Sequence, residues 1–239
     1  MEYLVFQLQG AMASWGEAAV GEYRGSHEYP TASALAGLIA AALGLRRDQE
    51  VELRAVNAGY LFGIGIRQSG ALLRDYHTAQ VPGRVALKGR RHVTRKDELS
   101  LTRADLNTIL STRDYRQGVD LLVAVQAQAD APHPLADLQQ AIAQPAFVLY
   151  LGRKSCPPSA PLNPRVIQAH ALLDAFTAYR VDADQAAAQP VIKLAWPDGM
   201  TAGVAADLSV TRKDRLIHRG AWQFGDRKEH LALLNAREA

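Results

Sequence analysis

The sequence holds one cysteine, Cys156, in 239 residues. No intrachain disulfide and no thiolate metal framework can form, which fits a reducing compartment. Long hydrophobic runs are missing too. The longest, Ala34–Leu45, is too short to span a bilayer, so no membrane partner is expected. Met1–Gly10 has no basic segment and no cleavage site, so no signal peptide is expected and the expected location is the cytoplasm. Neither G-x-x-x-x-G-K-[ST] nor G-x-G-x-x-G occurs, so neither of these phosphate-binding glycine loops is present. No cofactor and no metal is expected. Charge of one sign is also lacking overall: 27 Lys and Arg against 24 Asp and Glu leave only +3.

What is present is an apolar fraction of 48%, enough for a buried core. The cations are unevenly spread. Arg84–Arg103 holds Arg84, Lys88, Arg90, Arg91, Arg95, Lys96 and Arg103 against Asp97 and Glu98 only, a local charge of +5. Arg212–Lys228 holds Arg212, Lys213, Arg215, Arg219, Arg227 and Lys228 against Asp214 and Asp226, a local +4. Such segments suit a polyanion, and they equally suit a solvated charged face.

The periodicity predicts a strand at Tyr3–Gln9, a Gly/Ala/Ser-rich loop over Gly10–Tyr29 and a helix over Pro30–Gly44, with Thr31 or Ser33 as its cap. A strand at Tyr60–Ile66 and a turn at Ser69-Gly70 lead into Ala71–His77. A basic stretch, Thr78–Ser111, follows. Then come a buried strand at Val119–Val125, a helix at Pro134–Gln144 and a strand at Phe147–Leu151. Beyond Pro161 the pattern predicts a helix over Val166–Tyr179, an Asp/Ala/Gln linker at Val181–Gln189, and strands at Val191–Trp196 and Trp222–His230. The order strand, helix, strand, strand, helix, strand is that of an α+β, ferredoxin-like fold, shared by RNA-recognition domains. The expected organisation is a 1–165 domain with a basic thumb at about 78–111, then a small β-rich addition over 166–239.

Four short segments carry candidate chemistry. In Gly10-Ala-Met-Ala-Ser-Trp-Gly16, glycine lets backbone approach a phosphate closely and exposed N–H groups can form an anion nest. Trp15 could stack on a base, or fill the core. Thr31 and Ser33 stand at a helix start, where free N–H groups attract anions and where ordinary capping is the alternative. Asp75-Tyr76-His77 invites a nuclease reading. On a strand, however, Asp75 and His77 share a face and Tyr76 points away. In Gly152-Arg-Lys-Ser-Cys156, Arg153 and Lys154 could each grip a phosphate or a base edge. Cys156 reads as a packed thiol.

GAMASWG, PTASALAGLIAAALG, RDYHT and YLGRKSCPP, in this order, resemble one family, CasD, the fifth CRISPR-associated protein family in its subtype E form. Ala11 and Ala13 depart from it, standing where the family pattern has Pro and Gln. The resemblance implies a non-catalytic RNA-binding subunit of Cascade that caps the 5′ tag of the CRISPR RNA. It implies the backbone subunit CasC and the large subunit CasA as partners, with target DNA met indirectly through the complex. It places Gly10, Ser14, Trp15, Gly16, Thr31, Ser33, His77, Arg153 and Lys154 near RNA. It makes Arg84, Lys88, Arg90 and Arg91 the thumb's phosphate contacts. Subtype C relatives cleave repeat RNA without metal, so an endoribonuclease is the alternative. A metabolic enzyme on the same scaffold is a third reading, which the want of a catalytic constellation disfavours.

Overall fold

The computed structural model describes residues 1–16, 19, 21–182, 189–218, 221 and 223–234. Among these residues nine strands form one sheet. They are β1 (Glu2–Ala13), β2 (Tyr23–Arg24), β3 (Tyr60–Gln68), β4 (Ala71–Pro82), β5 (Leu106–Ala127), β6 (Arg165–Gln168), β7 (Lys193–Pro197), β8 (Leu208–His218) and β9 (Gln223–Leu233). The helices are α1 (Ala32–Ala42), α2 (Glu50–Gly59), α3 (Arg95–Leu99), α4 (Leu135–Ala143) and α5 (Leu172–Asp182). The sheet runs β6-β1-β5-β3-β7-β9-β8, with β2 and β4 attached to β5.

Strand alternation divides the core in two. Leu4, Phe6 and Leu8 of β1, with Leu121, Val123 and Val125 of β5, face the layer that holds Leu35 and Ile39 of α1 and Leu138 and Ile142 of α4. Tyr3 and Val5, with Leu122 and Ala124, face the other way, where α5 contributes Leu172, Phe176 and Tyr179. Burial on both faces explains why these strands read as continuous apolar runs. The buried Ala36, Ala40 and Ala42 keep α1 thin against its neighbours.

β5 serves two structures. Its second half pairs with β1 and β3 in the body of the sheet. Residues 106–115 pair with β4 and, briefly, β2. The β4–β5 ladder runs from Ala71↔Gln117 to Pro82↔Leu106 and makes a two-stranded arm. α3 lies in the tip, where Thr94 and Asp97 form a reciprocal capping box.

Several sequence expectations need correction. Gly10–Tyr29 is not one loop, because β1 continues to Ala13 and β2 lies within it. Thr78–Ser111 is not loop throughout, because its ends belong to β4 and β5. Phe147–Leu151 is not a strand. The outer edge of β1 is taken by β6 at residues 2–5. Beyond that it bonds singly: Gln7 N donates to Leu162 O, Ser159 N to Gln9 O and Ser14 N to Leu151 O. Pro157, Pro158, Pro161 and Pro164 cannot donate, so the chain between 151 and 164 follows β1 without building a ladder. Val166–Tyr179 is not one helix but β6 followed by α5. α2 and β8 were not anticipated. Most of the linker expected at Val181–Gln189, and Arg219 and Trp222, lie outside the described residues.

Candidate nucleic-acid interface

A groove of about 1350 Å³ opens between the end of β1, the start of α1, the segment 147–153 and the β8–β9 hairpin. Two motifs far apart in sequence meet at its centre. Gly152 has φ +89°, and a side chain on it would lie 1.8 Å from the carbonyl oxygen of Ser14. Only glycine can stand there. Ser14 N donates to Leu151 O at 3.0 Å, and Ser14 Oγ donates to Asp114 O at 3.1 Å. The Gly10–Gly16 segment is thereby fixed to YLGRKSCPP through backbone.

Arg153 leaves this junction half-buried. Its guanidinium lies over the Tyr115 ring at 4.6 Å and reaches Asp114 O at 3.4 Å. Stacking of this kind holds the planar cation in a fixed attitude. Lys154 is exposed beside it, outside the groove lining. Ser14, Trp15, Gly16, Thr31, Ser33 and Arg153 all line the groove. Of the sequence candidates Gly10 does not. It sits in β1 opposite Val119, and its lack of a side chain admits Leu151, whose Cδ1 would be 2.5 Å from a Cβ. Its role in the fold is close packing.

Trp15 is 2% exposed, so packing accounts for its ring. At the start of α1, Thr31 Oγ1 accepts from Ala34 N at 3.2 Å, and Asp214 Oδ2 accepts from Ala32 N at 2.9 Å. Capping and a carboxylate from β8 thus satisfy two of the helix-end donors. Asp214 belongs to a buried network. Arg227 donates to both its oxygens at 2.8 Å and to Glu229 Oε1 at 2.6 Å. Tyr29 OH donates to Glu229 Oε2 at 2.8 Å. Against the effect of burial, Arg227 holds the Asp214 carboxyl below its usual range. Burial, then the Glu229 carboxylate, pushes the Tyr29 phenol up.

Among the described residues the cations on the groove wall are Arg24, Arg46, Arg47, Arg153, Arg212 and Lys213, and the acid there is Asp214. Sequence reading flagged Arg212 and Lys213 only as part of a charged run. It missed Arg24, Arg46 and Arg47, whose neighbourhood carries no local pattern.

The arm is fastened at its base. Arg74 Nε donates to Asp114 Oδ1 at 2.9 Å and Nη2 to Oδ2 at 3.2 Å. Tyr23 OH donates to Asp114 Oδ2 at 2.6 Å. The hydrogen bond from Arg74 is the main reason that the Asp114 carboxyl lies below its ordinary range. Farther out, His77 stands opposite Ser111, with Nδ1 3.8 Å from Asp75 Oδ2. Tyr76 is 65% exposed, and strand alternation turns it to the other face. Arg84, Lys88, Arg90 and Arg91 are exposed on the segment between β4 and α3. Gly10 and Lys154 apart, the candidates fall into two sets, groove and arm. Among the described residues no group of three or more His, Cys, Asp or Glu is placed to hold a metal ion, and no helix is long and apolar enough to cross a membrane. Cys156 is fully buried.

Residues 3–228 match the model of the family described as CRISPR-associated protein (Cas_Cas5). The chain belongs to the Cas5 family. Over 168 residues, 67% of this Cas5 chain and 69% of the relative, it is 32% identical to the CRISPR system Cascade subunit CasD of Escherichia coli (strain K12). Two solved structures share the fold of this Cas5 chain. A chain of a CRISPR RNA-guided surveillance complex has a TM-score of 0.62 at 22% identity, with 97% of this chain and 89% of that one covered. A structure described as the crystal structure of Cas protein has a TM-score of 0.63 at 21% identity, with 99% and 97% covered.

Proposed function

We propose that this Cas5 chain is a non-catalytic CRISPR RNA-binding subunit of a Cascade complex. It caps the 5′ tag of the guide and supports assembly with CasC and CasA in the cytoplasm, meeting target DNA through the complex. The relative named Cascade subunit CasD supports the assembly. The observation that carries RNA binding is the groove, whose wall, among the described residues, sets six cations against Asp214. Cations gathered on one concave surface neutralise phosphates at short range, and half-buried guanidinium groups do so with little loss of side-chain freedom. Ser14, Trp15, Gly16, Thr31, Ser33 and Arg153 belong to this surface. Arg84, Lys88, Arg90 and Arg91 on the arm add sequence-independent phosphate contacts.

The β6-β1-β5-β3 part of the sheet, with α1 and α4 on one face, supports a ferredoxin-like, RNA-recognition-type body of the kind called RAMP. In this reading 1–165 is that body and the arm is its thumb. The addition over 166–239 then supplies the far wall of the groove through β8 and β9.

Purification of the chain with its neighbours tests the assembly, which requires a short RNA and other Cascade subunits to co-purify. Incubation of the pure chain with repeat RNA tests the absence of catalysis. A gel shift without cleavage is expected. Metal-independent cutting at one defined site, lost in His77→Ala, would establish an endoribonuclease instead. The distribution of Asp75, Tyr76 and His77 over two faces of the arm speaks against that outcome.

A further inference from the structure

Two residues that line the groove each carry a buried hydrogen-bond donor with no acceptor among the described residues. Trp15 is 2% exposed, and its Nε1 is buried and unpartnered. The Arg212 side chain is 9% exposed, and its Nη2 is likewise buried and unpartnered. A buried donor left unpaired costs about 1–3 kcal/mol, so two such donors are not explained by stability.

The two are neighbours through His27. The His27 amide donates to Trp15 O at 2.8 Å. Arg212 Nη1 lies 2.5 Å from His27 Nε2. Burial, followed by the charge of Arg212, lowers the His27 pKa to about 4, so its ring is neutral and can accept. The Tyr29 ring holds the guanidinium from one side, at 5.3 Å. Asp214 takes Arg227 and Ala32 N, while Glu229 takes Arg227 and Tyr29 and pairs with Arg212 through Nη1 at 3.9 Å. Among the described residues nothing accepts from Arg212 Nη2.

An indole N–H and a guanidinium only donate. Their complement is a group that only accepts and carries negative charge, which is a phosphodiester. We propose that Trp15 Nε1 and Arg212 Nη2 together hold one backbone phosphate of the bound RNA, at the inner wall of the groove. This rests on the RNA-binding reading above and adds to it a fixed anchor that the arm does not supply.

The two donors differ in charge, and that makes the anchor testable. Binding of a labelled single-stranded repeat RNA to the full chain is measured across salt concentrations. Trp15→Phe removes the N–H and keeps an aromatic ring. It should weaken binding roughly tenfold, the order of one charge-assisted hydrogen bond, and leave the salt slope unchanged. Arg212→Gln should weaken binding at least as much and flatten log K against log salt by about 0.7, the share of one phosphate contact on a single strand. Arg212→Lys, the milder variant should Gln unfold the chain, should weaken binding and keep the slope. Methylphosphonates placed one position at a time should find a single phosphate that matters to wild type and to Arg212→Lys, which keeps the charge, and is indifferent in Arg212→Gln. Wild-type affinity in Trp15→Phe, or no single phosphate that matters in wild type and Arg212→Lys, overturns the anchor. The combined Arg84, Lys88, Arg90 and Arg91→Ala variant reports RNA binding independently. If it weakens while the groove variants do not, the anchor is wrong and the RNA reading stands. If wild type fails to bind RNA, both are wrong.

Discussion

The groove and the arm carry cations of the same type, but the groove holds two of its own, Arg153 and Arg212, against aromatic rings, whereas the four at the arm's tip are exposed. On the arm, Tyr76 and Ile109 are exposed, and the ribbon is kept straight by the β4–β5 ladder and the Asp114 cluster at its base. Its tip presents Arg84, Lys88, Arg90 and Arg91 to solvent as point charges. In the groove, Arg153 lies over Tyr115 and Arg212 over Tyr29, on walls pinned by backbone contact and buried ion pairs. A free cation loses side-chain entropy when it grips a phosphate, whereas a stacked guanidinium has lost it on folding. Equal charge therefore does not mean equal use. The arm suits reach and the groove suits position.

The comparison breaks most sharply at Gly152. Gly152→Ala sets a Cβ against Ser14 O and a non-glycine residue at φ +89°. We expect a loss of roughly 3 kcal/mol in urea unfolding, with tag RNA binding lost as well. A wild-type midpoint would mean that the two motifs are not locked together. Next in size is the arm. Replacing Arg84, Lys88, Arg90 and Arg91 with Ala should flatten the salt dependence of RNA binding by about 2.8, four single-strand contacts, and leave the unfolding midpoint in place. A lowered midpoint would show that the tip packs on the body.

The Arg153 and Lys154 pair sharpens the contrast within one motif. Together their Ala variants should flatten the slope by about 1.4. Arg153→Ala should also lower the thermal midpoint, because it removes the contact with Tyr115, whereas Lys154→Ala should not. A midpoint unchanged in both would make the two cations equivalent. Smallest is the effect of acid. His27 is depressed to about 4 in the fold, so the unfolded chain binds more protons between that value and about 6.5. Stability is full above this window and is lost as pH falls through it. With partial exposure allowed for, the loss is about 1–2 kcal/mol, and His27→Gln should remove it. The Asp114 carboxyl, held low by Arg74, loses its contribution only below about pH 4. Acid should therefore loosen the groove before the arm base. Denaturant unfolding at several pH values checks the order.

Local pattern was a good guide wherever burial was two-sided or a cap was present. The apolar run Tyr3–Gln9, the Thr31 cap, the alternation at Tyr60–Ile66, the Ser69-Gly70 turn and the helix after Pro134 all correspond to elements. On the arm the pattern found Ala71–His77, the first half of β4, and missed the rest, because a ribbon exposed on both faces needs no apolar alternation, and the end of β4 and the start of β5 show none. It failed at Phe147–Leu151 for the opposite reason. That segment is apolar, but its neighbours on β1 are bonded singly and prolines follow. α2 buries only Val56 and Gly59, and β8 is largely exposed, so neither announced itself. The candidate site was partly legible. Motif by motif, Ser14, Trp15, Gly16, Thr31, Ser33 and Arg153 could be named, but nothing local said that they share a wall, or that Gly10, His77 and Lys154 do not.

By itself the sequence determined the core strands and their facing helices, a lone thiol that packs, a local surplus of cations and the family. Tertiary structure alone decided which cations converge. The Arg212 wall, the Asp214 carboxylate at the start of α1, and the Ser14–Gly152 contact each join residues far apart in the chain. Periodicity and propensity report what a residue's own neighbours require. Which distant backbones meet depends on loop closure and on the edges that other strands leave open, and those are properties of the whole chain.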